Sequence, residues 1–253
     1  MDVIVECCAG LDVGKDEVVG CVRTPGPGGK GRCSEVRVFP TFTSGLEALA
    51  DWMTENRVAE VVMEATGQYW KPIWYLLEER GFDLKLVNAR HVKMVPGRKT
   101  DLADAAWLAQ LLEHGLLRSS FVPPPAIREL RDLTRYRKRL IQTHTAEQQR
   151  VQKVLEDAGI KLDSVASDVL GVSGRAMLHA LVNGERDPEV LADMSKAALR
   201  KKTPQLKEAM RGRFDAHHAL MIGIALDHLE HLESSIASLD HVLRARLAED
   251  VGG

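Results

Sequence analysis

Four carboxylates, Asp12, Glu64, Asp101 and Asp104, stand where a metal-assisted reaction at a phosphodiester would need them. Asp101 and Asp104 are three residues apart, so on a helix they share one face and can address the same ion. Two divalent cations held about 3.5–4 Å apart by such groups activate an attacking oxygen and stabilise a leaving one. Magnesium suits a ligand set made only of oxygen. Taken singly, each residue also has an ordinary role. Asp12 fits a turn, Glu64 could cap a helix starting at Trp70, and Asp101 and Asp104 suit the positive end of their own helix. Placement at the ends of three separate elements favours a shared site, because acidic groups facing one another without a cation repel and are costly to desolvate. Lys15, Arg98, Lys99 and Thr100 flank the cluster, as phosphate contacts or as solvated loop residues.

The elements that must position these groups can be read from periodicity. Two β-rich runs, Val3 to Leu11 and Val18 to Val22, flank the turn Asp12-Val13-Gly14-Lys15-Asp16 and predict a hairpin. A Gly- and Pro-rich connection leads to a third strand, Glu35 to Phe39. Leu46, Leu49, Ala50 and Met53 recur at helical spacing over Ser44 to Asn56, with Ser44 as the expected cap. A buried strand over Ala59 to Met63 delivers Glu64 at its end, a helix covers Trp70 to Arg80, Leu84 to Val87 makes a fifth strand, and a helix runs from Thr100 to about His114. The order βββ-α-β-α-β-α is that of a ribonuclease H-like mixed sheet. There the first and fourth strands are neighbours and the last helix packs across them, which would bring all four carboxylates together.

Beyond Pro123-Pro124-Pro125 the pattern is helical, so the chain is expected to divide into an α/β domain at 1–121, a helical nucleic-acid-binding region at 122–200 and a coiled-coil or oligomerisation helix at 201–253. A long helix over Ala126 to Ala158 carries apolar residues at its ends and basic and polar ones in its middle. Short helices are expected at Ser164 to Leu170, Gly174 to Asn183 and Pro188 to Met194. From Thr203 to Glu249 the pattern stays helical, with Pro204 at its start and no proline beyond, and unbroken helix would reach roughly 70 Å at ~1.5 Å per residue. Leu229, Leu232, Ile236, Leu239 and Leu243 follow a 3, 4, 3, 4 spacing, which implies dimerisation or a helical hairpin, an intramolecular core helix being the alternative.

Composition sets the limits. The chain has 253 residues, 45% of them hydrophobic, which permits a sizeable core and excludes global disorder. No apolar run approaches the roughly 20 residues of a membrane span, and the acidic start Met-Asp-Val-Ile-Val-Glu does not resemble a signal peptide, so a cytoplasmic protein is expected. Cys7, Cys8, Cys21 and Cys33 have no zinc-like spacing and read as reduced thiols. Overall charge is balanced, with 34 Lys+Arg against 36 Asp+Glu, which argues against a protein that coats nucleic acid. Between Lys85 and Lys153, however, fourteen basic residues face six acidic ones, a surface on which a polyanion could dock. The candidate nucleic-acid contacts are Lys15, Arg98, Lys99, Arg128, Arg131, Arg135, Arg137, Lys138 and Arg139; the other reading of this stretch is a solvated helix face. Ser164, Ser167, Ser173 and Ser195 lie in helical or turn contexts without an evident base, which suits caps or surface positions rather than a nucleophile.

Four motifs, Gly10-Leu11-Asp12-Val13-Gly14-Lys15, Met63-Glu64-Ala65-Thr66-Gly67, Lys99-Thr100-Asp101-Leu102-Ala103-Asp104-Ala105 and Asp168-Val169-Leu170-Gly171-Val172-Ser173-Gly174-Arg175, together resemble the DEDD transposases of the insertion sequence one-ten family, the bridge-RNA-guided recombinases. The resemblance implies a resolvase-like (RuvC-type) metal domain, with Asp12, Glu64, Asp101 and Asp104 as catalytic and metal-binding carboxylates and Mg2+ as cofactor. It also implies binding of donor and target DNA and of a structured guide RNA, and homo-oligomers with composite active sites. In that family a serine-bearing domain follows the coiled coil, whereas this sequence stops at Val251-Gly252-Gly253. The expectation is therefore that full recombination is lost while metal, RNA and DNA binding survive. The alternatives are a non-catalytic nucleic-acid-binding and assembly module and a stand-alone RuvC-like nuclease.

Overall fold

The computed structural model describes residues 2–88, 92 and 104–251. The chain divides into two compact units, Met1–Val122 and Pro123–Gly253. The expected second and third regions thus fall in one unit.

In the first unit the order is β1 (Cys8–Val13), β2 (Glu17–Pro25), β3 (Arg32–Pro40), α1 (Thr43–Glu55), β4 (Glu60–Glu64), α2 (Trp70–Glu79), β5 (Asp83–Val87), α3 (Asp104–Glu113) and β6 (Ser119–Ser120). The strands form one sheet in the order β3-β2-β1-β4-β5-β6. β1, β2 and β3 pair antiparallel, β1, β4 and β5 pair parallel, and the two-residue β6 closes antiparallel on β5. This is the ribonuclease H-like arrangement expected from the element order.

Alternation along the strands assigns the two faces. Ala9, Leu11, Val13, Val61 and Met63 join Leu49, Trp52, Met53, Ile73 and Leu77 in the core beneath α1 and α2. Cys8 and Val62 pack instead with Leu108, Leu111 and Leu112 of α3. Both faces of β1 and β4 are therefore covered, as near-continuous apolar strands require.

Several boundaries differ from the sequence reading. Val3 to Cys7 lies outside β1, the backbone N–H groups of Ile4 and Val5 donating instead to the Glu113 carbonyl at the end of α3. The α1 cap position is Phe42, with no side-chain bond, so the expected Ser44 cap is not formed. Nor is Glu64 a cap for α2, whose cap position is Tyr69. The sequence pattern does not signal β6, since two exposed serines carry no apolar alternation.

The second unit contains α4 (Pro125–Asp157), α5 (Val172–Val182), α6 (Pro188–Asp193), α7 (Thr203–Ala209) and α8 (Ala216–Val251). The helix expected at Ser164 to Leu170 is instead a single 3-10 turn at Leu162–Ser164. The unbroken helix expected from Thr203 divides between α7 and α8, leaving α8 at 36 residues, about 54 Å. Close packing explains the break. A Cβ on Gly212 would lie 2.4 Å from the Ala158 carbonyl oxygen, and Arg213 N–H donates to that oxygen at 2.7 Å. Asp215 then restarts the helix by accepting from the N–H groups of His217 and His218.

α8 runs antiparallel to α4 in a hairpin. From tip to base the pairs are Glu129 with Arg246, Arg137 with Asp240, His144 with Glu233, Glu147 with His228 and Asp157 with His218. Leu229, Leu232 and Leu243 are buried along this hairpin, with Ile236 and Leu239 half-buried. The leucine seam is thus taken by the chain's own α4, which is the helical-hairpin alternative. Among the described residues no helix is long and apolar enough to cross a membrane.

The Arg137 guanidinium, bonded through two nitrogens to Asp240, holds that carboxyl below the usual range, and His218 does the same to Asp215. A carboxylate with a lowered folded-state value contributes stability above its unfolded value of about 3.9 and loses it as pH falls through the folded one. The helical hairpin should therefore weaken below about pH 4. Asp240→Asn should flatten that acid loss in a circular-dichroism titration; an identical acid profile in wild type and variant would contradict the assignment.

Candidate active site

β1 and β4 lie side by side in parallel, in register from Cys8 opposite Glu60 to Leu11 opposite Met63. One step further along each strand come Asp12 and Glu64, so the two carboxylates leave adjacent strands at the same end of the sheet. Neighbouring strands are about 4.8 Å apart. Both residues are half-buried, and both share the face of Gly10 and Val62, the side on which α3 packs.

Gly10 lets α3 come down onto this face. A Cβ built there would stand 2.3 Å from the Ala105 carbonyl oxygen and 2.4 Å from the Ala109 nitrogen, both backbone atoms. Only glycine accommodates that approach. The Cys8 thiol reaches the Ala109 carbonyl two residues back along β1. Gly10 therefore meets the first turns of α3 and Cys8 the next. The helix runs opposite to β1 and begins, at Asp104, over the end of the sheet that carries Asp12 and Glu64. Asp104 is half-buried.

The far end of α3 is fastened by charge. Glu113 is fully buried and receives Arg23 from β2 at 2.8 Å and Arg32 from β3. This ion cluster fixes the height of α3 above the sheet, and so the position of its first residue. Sequence reasoning misses the cluster, because its members are 90 and 81 positions apart; the Gly10 approach is signalled only by a glycine inside an apolar strand.

The structure thus brings Asp12, Glu64 and Asp104 to one end of one sheet face, while Asp101 lies outside the described residues. Among the described residues no group of three His, Cys, Asp or Glu stands in a metal-holding arrangement. The donors at this end are all carboxylate oxygens, a set that fits a hard divalent cation. Cys8, on the same face, is no competing ligand: burial first, then the nearby Glu113 charge, pushes its thiol up to about 12, so it stays protonated. All four cysteines are free thiols.

The basic residues divide into groups. Lys15 is exposed in the β1–β2 turn, where its carbonyl accepts from the Thr41 hydroxyl. Arg98, Lys99 and Thr100 lie outside the described residues. On α4, Arg131, Arg135, Lys138 and Arg139 are exposed and Arg128 is half-buried. Their spacing puts these five on the side of α4 turned away from α8. Arg137 sits on the opposite side and is engaged with Asp240, so it belongs to the hairpin rather than to the exposed basic stripe.

A family model described as transposase, that of the DEDD transposases of insertion sequence one-ten, matches residues 9–160. The chain belongs to this transposase family. That match spans β1, β4, α3 and all of α4, and so takes in Asp12, Glu64 and Asp104 of the transposase. No curated protein sequence matches it. Among solved structures, RuvC of Thermus thermophilus shares 15% identity over 45% of the transposase and 99% of its own chain, with a TM-score of 0.34. The T. thermophilus RuvC in complex with a Holliday junction substrate shares 13% identity over the same fractions, with a TM-score of 0.30.

Two substitutions test the seating of α3. Gly10→Ala forces backbone apart and should cost about 3 kcal/mol. Glu113→Ala strands two partly buried guanidinium groups and should cost about 3–5 kcal/mol. Both are read as shifts of the urea midpoint; unchanged midpoints would mean that α3 is not held against β1 in this way.

Proposed function

We propose that the α/β unit is a metal-dependent DNA strand-cleavage domain of the transposase, with Asp12, Glu64, Asp101 and Asp104 as its catalytic carboxylates. The observation that carries this reading is the emergence of Asp12 and Glu64 from adjacent parallel strands beneath the start of α3, in a chain of a transposase family. Mg2+ is the proposed cofactor, and when bound between carboxylates it activates the attacking oxygen and stabilises the leaving one. The chain's own part is geometric. β1 and β4 set the spacing of two carboxylates, Gly10 admits α3, and Glu113 holds that helix at the height that presents Asp104.

Substrate contact is assigned to the cationic surface. Lys15, exposed in the turn following Asp12, is assigned a phosphate beside the reacting one, and Arg98 and Lys99 are assigned the same role from sequence. Arg128, Arg131, Arg135, Lys138 and Arg139 form a stripe that fits a phosphate backbone. Donor and target DNA and a structured guide RNA are the proposed partners, and the working form is proposed to be a homo-oligomer. The exposed α4 stripe also favours a second reading, in which the chain binds nucleic acid without cutting it.

One set of measurements separates the two readings. With Mg2+ present, duplex and branched DNA should be cut, and Asp12→Ala, Glu64→Gln and Asp104→Ala should each lower the rate at least about 100-fold, the loss of one catalytic group. No cleavage by wild type, with binding intact, selects the non-catalytic reading. Neutralising Arg131, Arg135, Lys138 and Arg139 should weaken binding and reduce its salt slope by about 0.7–0.9 for each phosphate that is no longer neutralised. Unaltered slopes would leave the stripe as solvated surface.

A further inference from the structure

β3 is the outer strand of the sheet, nine residues long, and among the described residues it pairs with β2 alone. Its backbone polarity can be read from its hairpin. Gly26 N–H donates to the Gly31 carbonyl at one end, and Thr41 N–H donates to the Asp16 carbonyl at the other. Bonded and non-bonded pairs alternate along an antiparallel ladder. The odd-numbered residues of β3 therefore bond to β2, while Ser34, Val36 and Val38 turn their N–H and C=O groups to the free edge. The two prolines of the hairpin fit the same phase. Pro25 and Pro40, which lack an N–H, both fall at non-bonded positions.

Such an edge invites another strand. Natural edges repel one with charge, but here the charges are of opposite sign two residues apart, Glu35 and Arg37, both half exposed and paired with one another at 2.7 Å. Between them and beyond lie Val36 and Val38, 44% and 57% exposed. A two-fold axis perpendicular to the sheet keeps each residue on its own face, so opposed residues must be of equal parity. Centring the axis on Glu35 sets Glu35 against itself, and centring it on Arg37 sets Arg37 against itself. Centring on Val36 sets each Glu35 opposite Arg37 of the partner chain, Ser34 opposite Val38, and Val36 opposite its own copy. In that register Ser34, Val36 and Val38 make reciprocal backbone bonds. It leaves the Glu35–Arg37 pairs at non-bonded positions, where opposed Cα atoms are closest, about 4.5 Å apart.

We propose that the free edge of β3 joins a second copy of this chain, antiparallel and centred on Val36, making one continuous sheet across a two-fold axis. The occupant is named by the charge pattern, which is complementary to itself in this register and self-repelling in the neighbouring ones. The surface is distinct from the leucine seam of α8, which the chain already covers with α4.

Sedimentation velocity over a concentration series tests this on the full chain. Wild type should self-associate. Glu35→Arg and Arg37→Glu should each raise the dimer dissociation constant about tenfold or more, because two attractive cross-strand pairs become repulsive. An equimolar mixture of these two variants should recover association, since one chain then presents two arginines and the other two glutamates. The doubly exchanged chain, E35R/R37E, should also recover it. Amide exchange at Val36 and Val38 should slow as wild type associates. A wild type that stays monomeric, single variants that associate unchanged, or a mixture and double exchange that both fail to recover would each overturn the proposal.

Discussion

The close approach of α3 to β1 at Gly10 governs the candidate site. Three carboxylates drawn from positions 12, 64 and 104 share one end of the sheet only because a helix backbone lies almost against a strand backbone there. Any side chain at Gly10 would lift the helix, and lifting it would carry Asp104 away from the strand ends. The buried Glu113 cluster complements this approach, since apolar packing resists separation but tolerates sliding along the strand, whereas two guanidinium groups on one carboxylate fix the slide. The cost of burying that charge is offset by the pairing, and what it confers is position.

The second unit solves a different problem. Its long helix α4 has too few apolar residues to bury itself alone, with only Glu147, Val151 and Leu155 buried along 33 residues. It lies on α8 through a row of carboxylate pairs and a thin apolar seam. The side left open is the one rich in arginine and lysine, which is why α4 can serve as a charged surface and a structural arm at once.

Much of this is legible in the sequence. Strand alternation and element order give the sheet and the adjacency of β1 and β4, and with it the emergence of Asp12 and Glu64 at the same end of the sheet. Helical spacing gives α1, α2 and α4 to within a few residues, and the end of α8 but not its start. What sequence hides are contacts between distant residues whose local pattern is ordinary. The α7–α8 break rests on Gly212 meeting Ala158, a close approach that no local signal marks, so helical periodicity there reads as unbroken. The 3-10 turn at Leu162–Ser164 arises similarly, where buried Leu162, Ala166 and Val169 are drawn into the helical core rather than into a helix of their own. Charge counting finds the basic region but does not sort Arg137 from Arg135, because only the hairpin reveals which side of α4 meets Asp240.

The hairpin of α4 and α8 is also unevenly anchored. Near its base, Val151, Leu155, Ile222, Leu226 and Leu229 belong to the main apolar cluster of the second unit. Toward its tip, cohesion passes to Leu243 and to exchangeable ion pairs such as Arg246 with Glu129. The arm is thus held by apolar packing at one end and chiefly by exposed ion pairs at the other, just after the Pro123–Pro124 link. Salt screens the second kind of contact and leaves the first, so the two ends answer differently to ionic strength.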